Sequence, residues 1–170
     1  FSQKTILITG AASGFGKLLA KEFGARGANL VLADINTEAL TSLVSELKYG
    51  LDKVIIQTTN ITVEDDHRQL VDVAMKKFGR IDIAINNAGI SQRSGILHKM
   101  DEASFDSQID VNLKGVFFGM KHQLKAMIVN DGGCILNVSS IAGTEAAPTV
   151  AGYSAAKHGV VGLTKTAAVE

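Results

Sequence analysis

The chain has 170 residues, of which 46% are hydrophobic and 20% charged, and its formal net charge is zero. That length suits one domain with a real core, and the composition is that of a globular protein rather than a disordered or fibrous one. A neutral chain gives no electrostatic case for a nucleic acid or an anionic membrane as partner, and no apolar run is long enough to span a bilayer.

The start of the sequence carries no signal-peptide pattern, and the single cysteine, Cys134, cannot form an internal disulfide. We therefore predict a cytoplasmic protein. Because Cys134 lies in the apolar run Cys134-Ile135-Leu136, we expect it to be a small core residue.

Apolar runs alternate with helical patterns along the whole chain, without a linker or a repeat. The predicted strands are 6–8, 30–33, 54–56, 81–85 and 134–138. The predicted helices are 17–26, one capped by Asn36 and closed by Tyr49-Gly50, 64–78, 101 to about 129, and 152–170. This alternation predicts an α/β fold, with a parallel sheet covered on both faces.

A glycine-rich segment, Thr9-Gly10-Ala11-Ala12-Ser13-Gly14-Phe15-Gly16, joins the first predicted strand to the first helix. Glycines let the backbone turn sharply and approach a ligand closely. The helix start offers free N–H groups and the positive end of a dipole to a pyrophosphate. Asp34 ends the second apolar run, where a carboxylate can accept from a ribose 2′-hydroxyl. A glycine turn also occurs here without any ligand, so the segment alone leaves both interpretations open.

Small or polar residues follow every predicted strand: they are Gly10, Asp34, Asn60, Asn86 and Ser139. The carboxyl ends of parallel strands form one edge of the sheet, where ligands bind in open α/β folds. Any one of these residues is accounted for as an ordinary turn former. All five together predict a shared site at that edge.

Tyr153 and Lys157 lie four positions apart in the last predicted helix, which places a phenol and an ammonium on one helix face. A free phenol has a pKa of about 10 and is a poor base at neutral pH. A nearby cation favours the phenolate and brings proton exchange into range. The same spacing also occurs as a partly exposed helix pair without a catalytic role, so the pair alone does not decide.

Together these motifs resemble the short-chain dehydrogenase/reductase family over the whole chain. The matching features are a TGxxxGxG turn at 9–16, NNAG at 86–89, Asn112 in the helix after strand four, Ser140 closing strand five, and YxxxK at Tyr153 and Lys157. Their order and the Ser-to-Tyr separation match as well. The resemblance implies a Rossmann-type doubly wound parallel sheet with strand order 3-2-1-4-5.

The resemblance also implies an NAD(H)-dependent oxidoreductase that interconverts a secondary alcohol and a ketone by hydride transfer. Tyr153 would be the general acid in reduction and the base in oxidation. Lys157 would bind the nicotinamide ribose and favour the Tyr153 phenolate. Ser140, rather than its neighbour Ser139, would orient and polarise the substrate oxygen. Asn112 would kink its helix and hold a water that links Lys157 to solvent.

The implied cofactor-binding residues are Gly10, Ser13, Gly14, Phe15, Gly16, Asp34, Ile35, Asn60, Ile61, Asn87, Ala88, Gly89, Tyr153 and Lys157. Asp34 would repel a 2′-phosphate, and Ser13 supplies no basic residue before Gly14, so NAD is favoured over NADP. The family usually has Asp where Asn60 stands, its carboxylate bonding the adenine amino group. An amide oxygen can accept the same hydrogen bond without charge, so we expect somewhat weaker binding.

Members of the family continue past this point with further strands, a loop and a last helix. We therefore expect residues 1–170 to be a single Rossmann domain without its C-terminal strands. The helical segments 113–127 and 153–169 are apolar on most sides. The resemblance implies that they pair across a two-fold axis in a homodimer or homotetramer. The alternative is that they pack on further C-terminal residues.

A second class of function stays open, which is a catalytically inactive dinucleotide-binding sensor or scaffold. The complete set of Asn112, Ser140, Tyr153 and Lys157 favours the enzyme. Arg93, His98 and Glu145 lie in loops near the expected substrate entrance and are candidate substrate contacts by analogy alone. The four histidines, at 67, 98, 122 and 158, lack metal-ligand spacing, so we predict no metal site and expect them to be solvated or on helix surfaces.

Overall fold

The computed structural model describes residues 1–47, 50–91 and 95–170. Its strands are β1 (Thr5–Thr9), β2 (Asn29–Asp34), β3 (Val54–Thr58), β4 (Ile83–Asn86) and β5 (Cys134–Asn137). Its α-helices are α1 (Gly14–Ala25), α2 (Thr37–Glu46), α3 (Glu64–Phe78), α4 (Glu102–Ile109), α5 (Gly115–Ile128) and α6 (Ala151–Ala167). The strands form one parallel sheet in the order β3-β2-β1-β4-β5. The predicted fold class and strand order are confirmed.

Alternate side chains of the central strands fill two cores, one on each face of the sheet. Ile6 and Ile8 of β1 pack with Leu40 of α2, whereas Leu7 packs with Leu70 of α3 and Met127 of α5. Successive residues of a strand point to opposite faces. A continuous apolar run is therefore what a strand covered on both faces requires.

The ends of α2 and α3 follow their sequence signals. Asn36 caps α2 by accepting a hydrogen bond at Oδ1 from the Ala39 amide, 2.9 Å away. Tyr49 lies outside the described residues, and α2 ends at Glu46. Gly79 ends α3 in the left-handed conformation with φ of 73°, as its position after Lys76 and Lys77 predicts.

The predicted helix from 101 to about 129 is divided into three parts. A π-helical segment, Asp110–Lys114, separates α4 from α5 and contains the buried Asn112 at its centre. Such a segment inserts one extra residue into the helical turn and is often found at functional sites. Apolar periodicity does not reveal it, because the flanking helices keep their own stripes.

The expectation that Cys134 lies in the core is wrong, because Cys134 is exposed. It begins β5, which has a paired neighbour on one side only within the described sheet. Along β5, residues 134 and 136 are exposed while 135 and 137 are partly buried. An apolar run of three residues cannot by itself distinguish such a strand from a central one. Among the described helices, none combines the length and the apolar character needed to cross a bilayer.

Candidate nucleotide-binding and catalytic site

The turn between β1 and α1 packs closely against the segment that follows β4. Gly10 has φ of 64°, and a Cβ there would lie 2.8 Å from the Cα of Ala88. At Gly16 a Cβ would overlap the carbonyl oxygen of Gly10. Gly14 also has a positive φ, 50°, but a Cβ there would lie more than 4 Å from every atom in the part of the chain that the structure describes. The turn is therefore closed on its inner side and open at Gly14.

The start of α1 is free to bind an anion. Its N-cap residue, Ser13, makes no side-chain capping bond, and no acidic residue lies in the first turn. Residues Ser13, Gly14 and Phe15 are exposed. The first N–H groups of a helix have no partner within the helix and carry its positive dipole end. This cradle fits the pyrophosphate of a dinucleotide.

Hydrogen bonds join the glycine turn to the NNAG segment. The Asn87 amide nitrogen Nδ2 donates to the carbonyl oxygens of Thr9 and Gly10, at 3.0 and 3.2 Å. The Thr9 hydroxyl oxygen accepts from the backbone amides of Asn87 and Ala88, both at 3.1 Å. Both hydrogens of the Asn87 side-chain amide are thus engaged in shaping the turn, and only its oxygen remains for a ligand.

Asp34 lies at the end of β2, beside the glycine turn. Its Oδ2 accepts from the Ala12 amide and its Oδ1 from the Asn36 amide, both at 3.0 Å. Each carboxylate oxygen has a second lone pair, so both remain able to accept a ribose hydroxyl. The neighbouring Ile35 is 69% exposed at the same edge, where it offers an apolar surface.

The loop after β3 is held by side chains from the first turns of α3. Asp66 accepts from the Asn60 amide at 2.7 Å, and the Nε2 atom of His67 lies 3.0 Å from the carbonyl oxygen of Ile61. The expectation of a solvated His67 is wrong, since it is only 2% exposed. Burial lowers the pKa of His67, and the bond to Ile61 opposes that effect. A carbonyl only accepts, so Nε2 carries the hydrogen.

The spacing of buried residues in α3 could have identified His67. His67, Leu70, Val71 and Ala74 are the buried residues of this helix, and they recur at the positions of one helix face. The acidic residues just before His67 concealed this periodicity.

Asn86 does not belong to the shared edge site predicted from the five strand ends. It is 3% exposed, and its Nδ2 donates to Gln123 of α5 at 3.0 Å and to Asn137 of β5 at 2.8 Å. Asn86 is the last residue of β4. Because successive side chains of a strand point to opposite faces of the sheet, its side chain points toward α5. Its bonds tie β4, β5 and α5 together.

Lys157 and Tyr153 lie side by side on α6, as their spacing predicts. The Lys157 ammonium is 5.6 Å from the centre of the Tyr153 ring. Lys157 is 4% exposed and donates to the carbonyl oxygen of Val138 at 2.7 Å, and its burial lowers its pKa. The Tyr153 side chain is half-buried, and its hydroxyl has no hydrogen-bond partner within residues 1–47, 50–91 and 95–170.

The two serines after β5 have different partners. Ser139 donates from its hydroxyl to the carbonyl oxygen of Lys157 at 3.3 Å, which holds the strand end against α6. Ser140 accepts from the Ala142 amide at 3.2 Å, so its hydroxyl hydrogen remains available to a ligand. Ser140 is thus the serine of the pair that can donate to a substrate oxygen.

Asn112 is fully buried and holds the segment after NNAG. Its Oδ1 accepts from the Ile90 amide at 3.0 Å, and its Nδ2 donates to the Ile90 carbonyl and to Gln108, both at 2.9 Å. A Cβ at Gly89 would lie 2.7 Å from Asn112 Oδ1 and 3.9 Å from the Lys157 ammonium. Asn112 therefore fixes the backbone beside Lys157.

Several residues that shape the site were not among the candidate site residues predicted from the sequence. Thr9, Asp66 and Gln108 each support a candidate site residue through a hydrogen bond. Of the candidate substrate contacts, Arg93 lies outside the described residues, and His98 and Glu145 are exposed. No cluster of three or more potential metal ligands occurs in the part of the chain that the structure describes.

Comparison with known proteins gives related enzymes along nearly the whole chain. Residues 4–170 match the model of the family described as short chain dehydrogenase. The chain is 43% identical to 3-oxoacyl-acyl-carrier-protein reductase FabG of Thermotoga maritima, over 98% of this chain and 68% of that protein. It is 39% identical to cyclohexanol dehydrogenase of Acinetobacter sp., over 100% of this chain and 68% of that protein.

A solved structure shares the same backbone arrangement. It is a short-chain dehydrogenase/reductase from Burkholderia phymatum in complex with NAD, with a TM-score of 0.91 and 34% sequence identity, and the match covers 98% of this chain and 59% of that one. The chain therefore belongs to the short-chain dehydrogenase/reductase family of oxidoreductases.

Proposed function

We propose that the protein interconverts a secondary alcohol and a ketone with NAD(H), using Tyr153 as the general acid and base. The observation that carries this proposal is the buried Lys157 ammonium beside the Tyr153 ring, next to the strand end that presents Ser140. With the cofactor bound, its nicotinamide gives or takes the hydride. The chain supplies orientation and a route for the proton.

In this mechanism Ser140 donates a hydrogen bond to the substrate oxygen and polarises it. Tyr153 gives its proton to that oxygen in reduction and takes the alcohol proton in oxidation. The positive charge of Lys157 stabilises the phenolate that remains after proton transfer. Lys157 has three N–H groups and gives one to Val138, so two are left for a ribose hydroxyl. Asn112 acts as a positioning residue, because its bonds hold Ile90 and not a reacting atom.

Tyr153→Phe tests the catalytic assignment. We expect turnover to fall by a factor of about 10² to 10⁴, the usual contribution of a positioned acid or base. The dissociation constant of NADH, measured by fluorescence titration, should stay within about twofold because the hydroxyl is not the main binding contact. Tyr49→Phe changes the only other tyrosine and should leave turnover unchanged.

The first substrate to try is cyclohexanol, because one relative is named for it, followed by sugars, polyols, steroids and hydroxyacyl thioesters. NADH absorbance reports the reaction. Unchanged turnover in Tyr153→Phe would disprove the role of Tyr153. Tight NADH binding with no turnover of any substrate would favour the alternative function, a catalytically inactive sensor or scaffold.

The proposed preference for NAD over NADP rests on Asp34. A 2′-phosphate bound beside this carboxylate would add a second negative charge, and Ser13 supplies no cation to offset it. We expect NAD to bind at least about tenfold more tightly than NADP. In Asp34→Asn the dissociation constants of NAD and NADP should move closer together. Any change in the shape of the turn affects both cofactors alike, so the ratio of the two dissociation constants reports the effect of the charge. A ratio that does not change would contradict this assignment.

We further propose that the protein is a homodimer or homotetramer formed through an apolar face of α5 and α6. This α5–α6 face consists of Leu113 from the end of the π-helical segment, Phe117 of α5, and Gly159, Gly162 and Leu163 of α6, and Lys114 and Thr166 border it. Phe117 is 45% exposed, although an aromatic side chain of that size gains most from burial. A second copy of the same face would cover it.

A further inference from the structure

We propose that Asn60 presents a hydrogen-bond donor, not an acceptor, to the purine base of the cofactor. The base site would then accept a 6-oxo purine such as hypoxanthine at least as well as adenine. The inference rests on the proposed function, since it requires a dinucleotide at this edge of the sheet. It replaces the expectation that the amide oxygen of Asn60 accepts from the adenine amino group.

The orientation of the Asn60 side chain is fixed by Thr62. Asn60 Oδ1 accepts from the Thr62 backbone amide at 3.1 Å and from the Thr62 hydroxyl at 2.8 Å. A backbone N–H can only donate, so the atom facing it must be the oxygen. Both lone pairs of that oxygen are used. The Nδ2 group has no hydrogen-bond partner among the residues that the structure describes, and it remains a free donor.

The backbone on either side of the Asn60 side chain is held in place, and reversal of the side-chain orientation is unfavourable. The Asp66 carboxylate accepts from the backbone amide of Asn60 at 2.7 Å, and His67 Nε2 donates to the backbone carbonyl of Ile61 at 3.0 Å. Turning the carboxamide over would place Nδ2 against the Thr62 N–H and remove the bond from that backbone amide, although the Thr62 hydroxyl could then accept from Nδ2. Leaving a donor unpaired in a partly buried loop is costly.

The sheet order would bring the base of a bound dinucleotide to Asn60. The pyrophosphate cradle follows β1, and Asp34 ends β2, the next strand outward. Asp34 pairs in register with Thr58 of β3, and the Thr59 amide donates to the Asp34 carbonyl at 2.9 Å. Neighbouring strands are about 4.8 Å apart. This spacing suits a nucleotide whose phosphate, ribose and base lie at the ends of β1, β2 and β3 in turn. The base beyond the ribose would therefore meet the end of β3.

Adenine and hypoxanthine have opposite hydrogen-bonding character at their 6-substituents. The 6-amino group of adenine is a donor and opposes the Nδ2 hydrogens of Asn60, whereas the 6-oxo group of hypoxanthine accepts from them. An aspartate at position 60 would keep the bonds to Thr62 on one oxygen and offer the other to the adenine amino group. Exchange of one amide for one carboxylate thus reverses the preference.

The test compares the dissociation constants of NAD and nicotinamide hypoxanthine dinucleotide by calorimetry, which needs no substrate. We expect the natural protein to bind the hypoxanthine dinucleotide as tightly as NAD or more tightly. Asn60→Asp should shift the ratio toward NAD by about tenfold, the usual effect of exchanging a matched for a mismatched hydrogen bond. The added negative charge weakens both ligands alike, so it cancels from the ratio.

Asn36→Asp is the matched control, because it adds the same charge at the same edge while keeping its cap on α2. It should leave the ratio of the two constants unchanged. An NAD preference of about tenfold or more in the natural protein, or an unchanged ratio in Asn60→Asp, would overturn the inference while the proposed function stands. Failure of both dinucleotides to bind would instead overturn the proposed function.

Discussion

At the scale of single residues, His67 links the stability of the loop after β3 to pH. Its ring is buried, and burial lowers its pKa below the ordinary value of 6.5, an effect that the Ile61 carbonyl opposes. His122 also lowers the pKa, whereas Asp66 and Glu64 raise it. The unfolded chain therefore takes up a proton near the ordinary value while the folded protein does not.

This difference predicts a loss of stability in mild acid. Stability linked to His67 is complete above the unfolded pKa, and it is lost as the pH falls from there toward the lower folded pKa. We expect the free energy of unfolding in urea to decrease between about pH 7 and pH 5, by about 1.4 kcal/mol for each unit of pKa difference. His67→Gln keeps an N–H donor for Ile61 and should flatten this dependence.

The control for His67→Gln is His98→Gln, which changes an exposed histidine. It should leave the pH dependence of unfolding as in the natural protein. An equally steep dependence in His67→Gln would show that another group is responsible.

The sequence predicts the proximity of Tyr153 and Lys157 better than it predicts the hydrogen bonds of the candidate cofactor-binding residues. The spacing of Tyr153 and Lys157 fixes their proximity, because residues four apart on a helix are neighbours. The polarity offered by Asn60 depends on Thr62, and the orientation of Asn87 depends on Thr9, 78 positions away. A sequence shows which side chains can form hydrogen bonds but not which of them are already formed.

At the scale of elements, the end of α3 provides a direct test of backbone strain. Gly79 has φ of 73°, and a Cβ there would meet no atom of the described residues within 4 Å. Any cost of Gly79→Ala must therefore come from the left-handed conformation rather than from a clash. We expect a loss of about 1 kcal/mol in the free energy of unfolding, measured in urea.

Gly79→Asn is the comparison for this variant, because asparagine adopts the left-handed conformation more readily than alanine. It should be less destabilised than Gly79→Ala. Equal stability of Gly79→Ala and the natural protein would mean that α3 ends differently in solution.

The elements themselves follow largely from local patterns. The continuous apolar run Ile6-Leu7-Ile8 predicts β1, and the acidic start and basic end of α3 give its limits, Glu64–Phe78. The exposure of β5 and the π-helical segment Asp110–Lys114 are different, because they depend on neighbours in space. Cys134 was misplaced for that reason.

At the scale of the whole molecule, the α5–α6 face predicts self-association. Phe117→Glu should place a charge at its centre and shift the protein toward monomers, because burying an unpaired charge is strongly unfavourable. Light scattering coupled to size exclusion would report the change as a mass reduced by about half for a dimer.

Leu18→Glu is the control for the α5–α6 face, since Leu18 is 52% exposed on α1. It should leave the mass unchanged. A monomeric mass for the natural protein would reject the proposed oligomer.

The bonds between Thr9 and Asn87 join the first strand end to the fourth across the middle of the sheet. The same bonds that hold β1 beside β4 therefore also shape the turn that we propose binds the nucleotide. A ligand seated on the turn would then strengthen the association of β1 with β4, and its binding energy would be shared by the entire cooperative unit. By the same linkage, a substitution that destabilises β4 would also weaken nucleotide binding at the glycine turn, although β4 does not itself form that turn.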